Sequence, residues 1–128
     1  MKLYFKPGAC SLSPHIALEE SGLDYETESV DLKTKRTAQN EDFNVINPKG
    51  YVPALLLDDG VLLTEGPAIL QYIADQAPGR KLAPANGTIA RYQLQGWLNF
   101  IATELHKSFS PFFNPAAKDD WKALARAN

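Results

Sequence analysis

An α/β unit running into a helical unit is the fold class this sequence predicts, and three features point to it. The first is a β-α-β order at the N-terminus. Lys2 to Phe5 reads as a short strand, Pro7-Gly8 as a turn, and Ser13-Pro14 as an N-cap with proline at the first helical position. The helix then runs to about Ser21, with Ile16, Ala17 and Leu18 as its apolar surface and Gly22 as its C-cap. Tyr25 to Val30 alternates as a weak strand. The second feature is a hairpin. Ala54 to Leu57 is an apolar run too short for a helix between breakers, Asp58-Asp59-Gly60 is a turn signal, and Val61 to Leu63 returns as its partner. Between these parts, Asp31 to Ile46 is polar with little periodicity and Asn47-Pro48-Lys49-Gly50 marks a turn. A helix opened by Thr64-Glu65-Gly66-Pro67 and stopped by Pro78-Gly79 closes this half. The third feature is a stretch rich in Pro and Gly that leads into a long helix from Thr88 to about Phe109. On that helix Leu94, Leu98, Ile101, Leu105 and Phe109 recur at spacings of four, three, four and four, which forms one apolar stripe. The predicted division is 1-80, a linker at 81-87, and a helical part over 88-128.

Composition narrows the function classes. The chain has 128 residues, 45% hydrophobic and 22% charged, as expected of a globular protein. A net charge of −2 gives no electrostatic footprint for nucleic acid, and the cluster Lys33-Thr34-Lys35-Arg36 reads as a solvated surface. No segment approaches the roughly 18 continuous apolar residues of a membrane span, and the N-terminus lacks the apolar stretch of a signal peptide. One cysteine allows no internal disulfide and no Cys-x-x-Cys redox pair, so the expected compartment is the cytoplasm.

That single cysteine, Cys10, falls in Lys6-Pro7-Gly8-Ala9-Cys10-Ser11, at the mouth of the first helix. Unpaired N–H groups there favour negative charge, so the thiol is expected to titrate below its free value of about 8.5. The other reading is a small buried hydrophobe. Farther along, Asn99, Thr103 and His106 are spaced four and three, hence stacked on one face of the long helix, with Lys107 at its edge. Such a stripe is either a solvated polar face or the wall of a cleft for a polar ligand.

Four strings in order carry a family resemblance: Tyr4-Phe5-Lys6-Pro7-Gly8-Ala9-Cys10-Ser11, Asn47-Pro48-Lys49-Gly50-Tyr51-Val52-Pro53-Ala54-Leu55, Leu63-Thr64-Glu65-Gly66-Pro67-Ala68-Ile69, and Trp97-Leu98-Asn99-Phe100-Ile101 with Glu104-Leu105-His106-Lys107. Together they resemble a bacterial beta-class glutathione transferase of the kind found in aromatic-degradation pathways. The resemblance implies an α/β thioredoxin-like N-terminal domain followed by an all-helical domain, glutathione as co-substrate, no metal, and a homodimer. It implies that Pro53 is a cis-proline exposing the Val52 backbone to the cysteinyl part of glutathione, and that Glu65 receives the γ-glutamyl ammonium. The Gly66 N–H is then placed for the neighbouring carboxylate and Lys35 for the glycyl carboxylate. Asn99, Thr103, Glu104, Leu105 and His106 form the opposing wall, supplied in part by a neighbouring subunit, with Cys10 and His106 as the catalytic pair.

Two reactions fit such a site: addition of the glutathione thiolate to a small electrophile, aromatic or halogenated, and thiol-disulfide exchange or reductive dehalogenation through a Cys10 mixed disulfide. Three positions depart from the family pattern. Phe5 stands where relatives often carry tyrosine, Tyr51 where some carry glutamine, and Gly66 where many carry serine. Family members also continue for several more helices, so the resemblance implies a truncated helical domain. That leaves a non-catalytic glutathione-binding fragment as a third reading.

Overall fold

A computed structural model describes residues 1–127. Five strands form one sheet in the order β3-β2-β1-β4-β5: β1 (Lys2–Phe5), β2 (Glu26–Asp31), β3 (Arg36–Thr37), β4 (Ala54–Leu56) and β5 (Leu62–Thr64). β1 runs parallel to β2 and antiparallel to β4, and the β4–β5 and β2–β3 pairs are antiparallel. The parallel pair needs a crossover, which α1 (Leu12–Ser21) provides; the antiparallel β4–β5 pair needs only the turn at Gly60, whose φ is +86°. The β-α-β start, the hairpin and the closing helix therefore form as expected.

Strand alternation splits the core in two. Leu3 and Leu55 face α1 and α3 (Gly66–Gln76) and bury with Leu18, Ile69 and Ile73. Tyr4 and Ala54 face the other side and bury with Val30, Phe43 and Val52, the Tyr4 and Phe43 rings lying 5.5 Å apart. Phe43 belongs to α2 (Phe43–Ile46), a short helix capped by Asp42 within the segment that the sequence leaves open as coil or helix. Tyr4 thus cannot lend a hydroxyl to the face on which Phe5 lies.

Three sequence expectations are corrected. α1 begins at Leu12 with Ser11 as N-cap, so Pro14 sits inside the first turn instead of opening it. β5 is displaced by one residue toward Thr64, because the Leu57 N–H bonds to the Val61 carbonyl and Val61 is spent in the turn. The long helix runs to about its expected end but is not α-helical throughout. α4 (Ile89–Phe100) passes into a π-helical turn over Ile101–Leu105, then α5 (His106–Ser108), α6 (Ser110–Phe113) and, after a break, α7 (Asp119–Ala127). The apolar stripe is correspondingly less covered than expected: Leu94 and Leu98 are half-buried, whereas Ile101, Leu105 and Phe109 are exposed.

A coil over 81–88 leads into α4, whose start is fixed by the Thr88 hydroxyl accepting the Arg91 N–H at 3.2 Å. The last residue of the predicted 88-128 unit, Asn128, lies outside the described residues.

Candidate functional site

Pro7 and Gly8 turn the chain out of β1, with Gly8 at φ +76° and the Ala9 N–H bonded to the Lys6 carbonyl at 3.1 Å. Ser11, fully buried, fixes this loop from below. Its Oγ accepts the Lys6 N–H at 3.0 Å and donates to the Lys6 carbonyl at 3.2 Å. Ser11 has no signal in the sequence beyond being a small polar residue after a turn, because both of its bonds depend on where the loop returns.

Cys10 rides on top of this loop and is exposed, which removes the buried-hydrophobe reading. Its Sγ donates to the Val52 carbonyl at 3.6 Å, so the thiol reaches across to the loop before β4. The expected downward shift of its titration is overturned. Partial removal of the sulfur from water pushes the thiol up; its own backbone N–H and the charge of Lys107 oppose this without cancelling it, and Glu65 adds to the rise. A carbonyl acceptor favours the protonated S–H as well.

The loop that Cys10 touches is held by Asn47, also buried. Its Nδ2 donates to the Tyr51 carbonyl at 2.8 Å and its Oδ1 accepts the Lys49 N–H at 3.2 Å. The Val52–Pro53 bond is cis. Val52 buries its side chain among Tyr4, Val30 and Phe43, and its N–H has no hydrogen-bond partner among the described residues. One residue therefore presents an unpaired donor and an acceptor beside the Cys10 thiol. Gly66 lies against Pro53: a Cβ on Gly66 would stand 4.0 Å from Pro53 Cγ, an ordinary contact, so the position does not require glycine for space.

Glu65 precedes α3 with φ +70°, a conformation that non-glycine residues avoid and that commonly marks a functional position. Its carboxylate, 72% exposed, accepts Lys49 Nζ at 3.1 Å. The neighbouring Gly66 N–H opens the helix and has no partner among the described residues. Lys35, also at positive φ (+57°), reaches the same loop from the β2–β3 side. Its Nζ donates to the Gly50 carbonyl at 2.7 Å and lies 5.6 Å from the Tyr51 ring centre. Cys10, Lys35, Val52, Pro53, Glu65 and Gly66 are thereby linked along one rim of the α/β unit.

The helical residues are arranged differently. The π turn changes the angular step between Thr103 and His106 from the one an α-helix would give. The Thr103 hydroxyl turns back to the Asn99 carbonyl at 3.0 Å. Asn99, Thr103, Glu104, Leu105 and His106 are all at least partly exposed, and the His106 side chain makes no hydrogen bond among the described residues. The residue of this segment whose charge reaches Cys10 is Lys107, which the sequence spacing puts only at the edge of the stripe. The described residues contain no cluster of His, Cys, Asp or Glu suited to a metal ion.

Comparison with known proteins identifies the family. Residues 1–75 match the family described as glutathione S-transferase, N-terminal domain. The glutathione S-transferase GstA of Escherichia coli O157:H7 is 56% identical over 127 residues, covering 99% of this chain and 63% of that protein. Among solved structures, the ternary complex of BphK, a bacterial glutathione S-transferase, is 65% identical with a TM-score of 0.97, covering 99% of this chain and 64% of that one. A sphingomonad glutathione S-transferase complexed with glutathione is 56% identical with a TM-score of 0.95, over 98% and 62%. A beta-class enzyme of Sphingomonas chungbukensis is 52% identical with a TM-score of 0.95, again over 98% and 62%. The chain belongs to the glutathione S-transferase family, alongside bacterial members that include the beta class, and its α/β unit is the thioredoxin-like domain of that family. It spans a little under two thirds of the length of these relatives.

Proposed function

We infer that the chain binds glutathione along the rim formed by Cys10, Val52 and Glu65 and serves a glutathione transferase that conjugates the tripeptide to small electrophiles. The observation that carries this reading is Val52, just before Pro53, which presents an N–H without a partner among the described residues and a carbonyl that meets the exposed thiol of Cys10. An extended peptide can bond there as an added strand. The relative solved with glutathione, at 56% identity, supports the same ligand here. In this pose the γ-glutamyl ammonium meets the Glu65 carboxylate, its carboxylate meets the Gly66 N–H, and the glycyl carboxylate meets Lys35.

Conjugation consists of attack by the glutathione sulfur on an electrophilic carbon, loss of a leaving group such as halide, and release of the thiol proton. The wall from Asn99 through Thr103, Glu104, Leu105 and His106 closes the site from the helical side, and His106 takes the proton. Electrophiles of aromatic or halogenated type, a homodimer using the exposed Trp97 and Phe100 face of α4, and a cytoplasmic setting belong to the same reading. No described helix is long and apolar enough to cross a membrane.

A second reaction is favoured by the exposure of Cys10: exchange through a mixed disulfide with glutathione. The upward-shifted thiol leaves less Cys10 thiolate at neutral pH, which slows this exchange. Assays of Cys10→Ala separate them. Glutathione conjugation to an activated aryl halide is expected to persist within a few-fold of the parent, while reduction of a glutathione mixed disulfide falls to background. In the parent the exchange rate should rise steeply with pH through and above the ordinary thiol range, since only the thiolate attacks and its fraction is still growing there. Loss of conjugation together with exchange would assign Cys10 to both.

A further inference from the structure

The carboxylate that this reading assigns to an incoming ammonium already holds one. Lys49 Nζ lies 3.1 Å from Glu65 Oε1 and 3.1 Å from Thr64 Oγ1, so a primary ammonium is bound by a carboxylate and a hydroxyl beside the free Gly66 N–H. Lys49 reaches this position because Asn47 carries its loop beside the β5–α3 junction. Its side chain is 55% exposed, so the contact is weak and readily exchanged for water or for another cation.

We propose that Lys49 is an internal stand-in for the γ-glutamyl ammonium: it occupies Glu65 in the free protein, is displaced when glutathione arrives, and so sets the affinity of the site. The inference rests on the glutathione-binding reading above. Two like charges cannot share one exposed carboxylate without repulsion, so entry of the ligand ammonium sends Lys49 to solvent. The contact costs glutathione the strength of an exposed ion pair and costs nothing to a ligand that lacks the ammonium.

The direction of the effect is diagnostic. Glutathione is a net anion, so deleting a nearby lysine should weaken its binding by general attraction alone. Displacement predicts the reverse. Calorimetric titration of Lys49→Met with reduced glutathione should show binding tightened by about two- to fivefold, while Lys49→Arg, which retains the cation, stays at the parent value. An analogue with hydrogen in place of the γ-glutamyl amine should bind the parent and Lys49→Met equally. In a Glu65→Ala background, Lys49→Met should no longer tighten glutathione binding.

Glutathione binding that Lys49→Met leaves unchanged or weakens overturns the stand-in role while the glutathione site stands, and so does equal tightening for both ligands. A parent chain that binds no glutathione overturns the site itself and the stand-in role with it.

Discussion

Glu65→Ala is expected to weaken glutathione binding by about 10- to 50-fold, the loss of a charge-assisted contact whose acceptor is largely solvated. The carboxylate is 72% exposed, which keeps the loss well below that of a buried pair. The backbone supplies an internal control. Glu65 holds φ +70°, so alanine inherits an unfavourable conformation that glycine adopts without penalty. Glu65→Gly should lose binding to the same extent yet unfold with about 1 kcal/mol more stability than Glu65→Ala. Binding retained by both variants would show that the positive φ at this position serves something other than glutathione.

The second large effect lies at the junction of the α/β and helical parts. Arg91 on α4 is 2% exposed and bonds both to α3 and to the coil that precedes α4: Nη2 with Asp75 Oδ2 at 2.5 Å, Nε with Gln71 Oε1 at 3.2 Å, and Nη1 with the Pro84 carbonyl at 2.7 Å. Gln95 adds a bond to the same Gln71 oxygen at 2.8 Å. The interface is therefore held by a guanidinium network where an apolar seam is the usual solution. Arg91→Ala should cost about 3 kcal/mol, the lower end for breaking a buried pair, because Asp75 is 43% exposed and recovers water. Urea unfolding measures it directly. Arg91→Lys keeps the charge but not the fork, and should recover less than half of the loss. A cost under about 1 kcal/mol for Arg91→Ala, the range of an exposed pair, would mean that α4 is anchored by something other than this network.

These two sites separate what is legible in the sequence from what is hidden in it. Elements dictated by local chemistry are readable: the Pro7-Gly8 turn, the Gly22 cap, the Asp58-Asp59-Gly60 hairpin, and the alternation that sends Leu3 and Tyr4 to opposite faces. The motif around Val52-Pro53 and Glu65-Gly66 is readable only through family resemblance, since nothing in the spacing of Lys35, Glu65 and Cys10 says that three loops converge on one rim. Ser11, Asn47 and Arg91 escape sequence reasoning for one reason: each is defined by bonds to a backbone or side chain whose position depends on the folded path. The π turn at Ile101–Leu105 has no compositional mark, and it changes the angular step from Thr103 to His106 that α-helical spacing implies.

The direction of the Cys10 titration is hidden from the sequence because a helix mouth is visible there without its surroundings. Partial exclusion of water acts on the sulfur more strongly than its own N–H and the charge of Lys107 do. Tyr25 shows the same effect more strongly at a place with no role in the site. Loss of water around its hydroxyl, together with the bond to Glu19, pushes it up to about 12.

If glutathione lies along Val52 between Cys10 and Glu65, backbone amide resonances read its position residue by residue. Titration of the isotopically labelled chain with reduced glutathione should shift the N–H signals of Val52 and Gly66 most, saturably and together, because these are the unpaired donors facing the ligand. Saturable shifts confined to the exposed Trp97 and Phe100 face of α4, or no shift at Val52 at saturating glutathione, would contradict it.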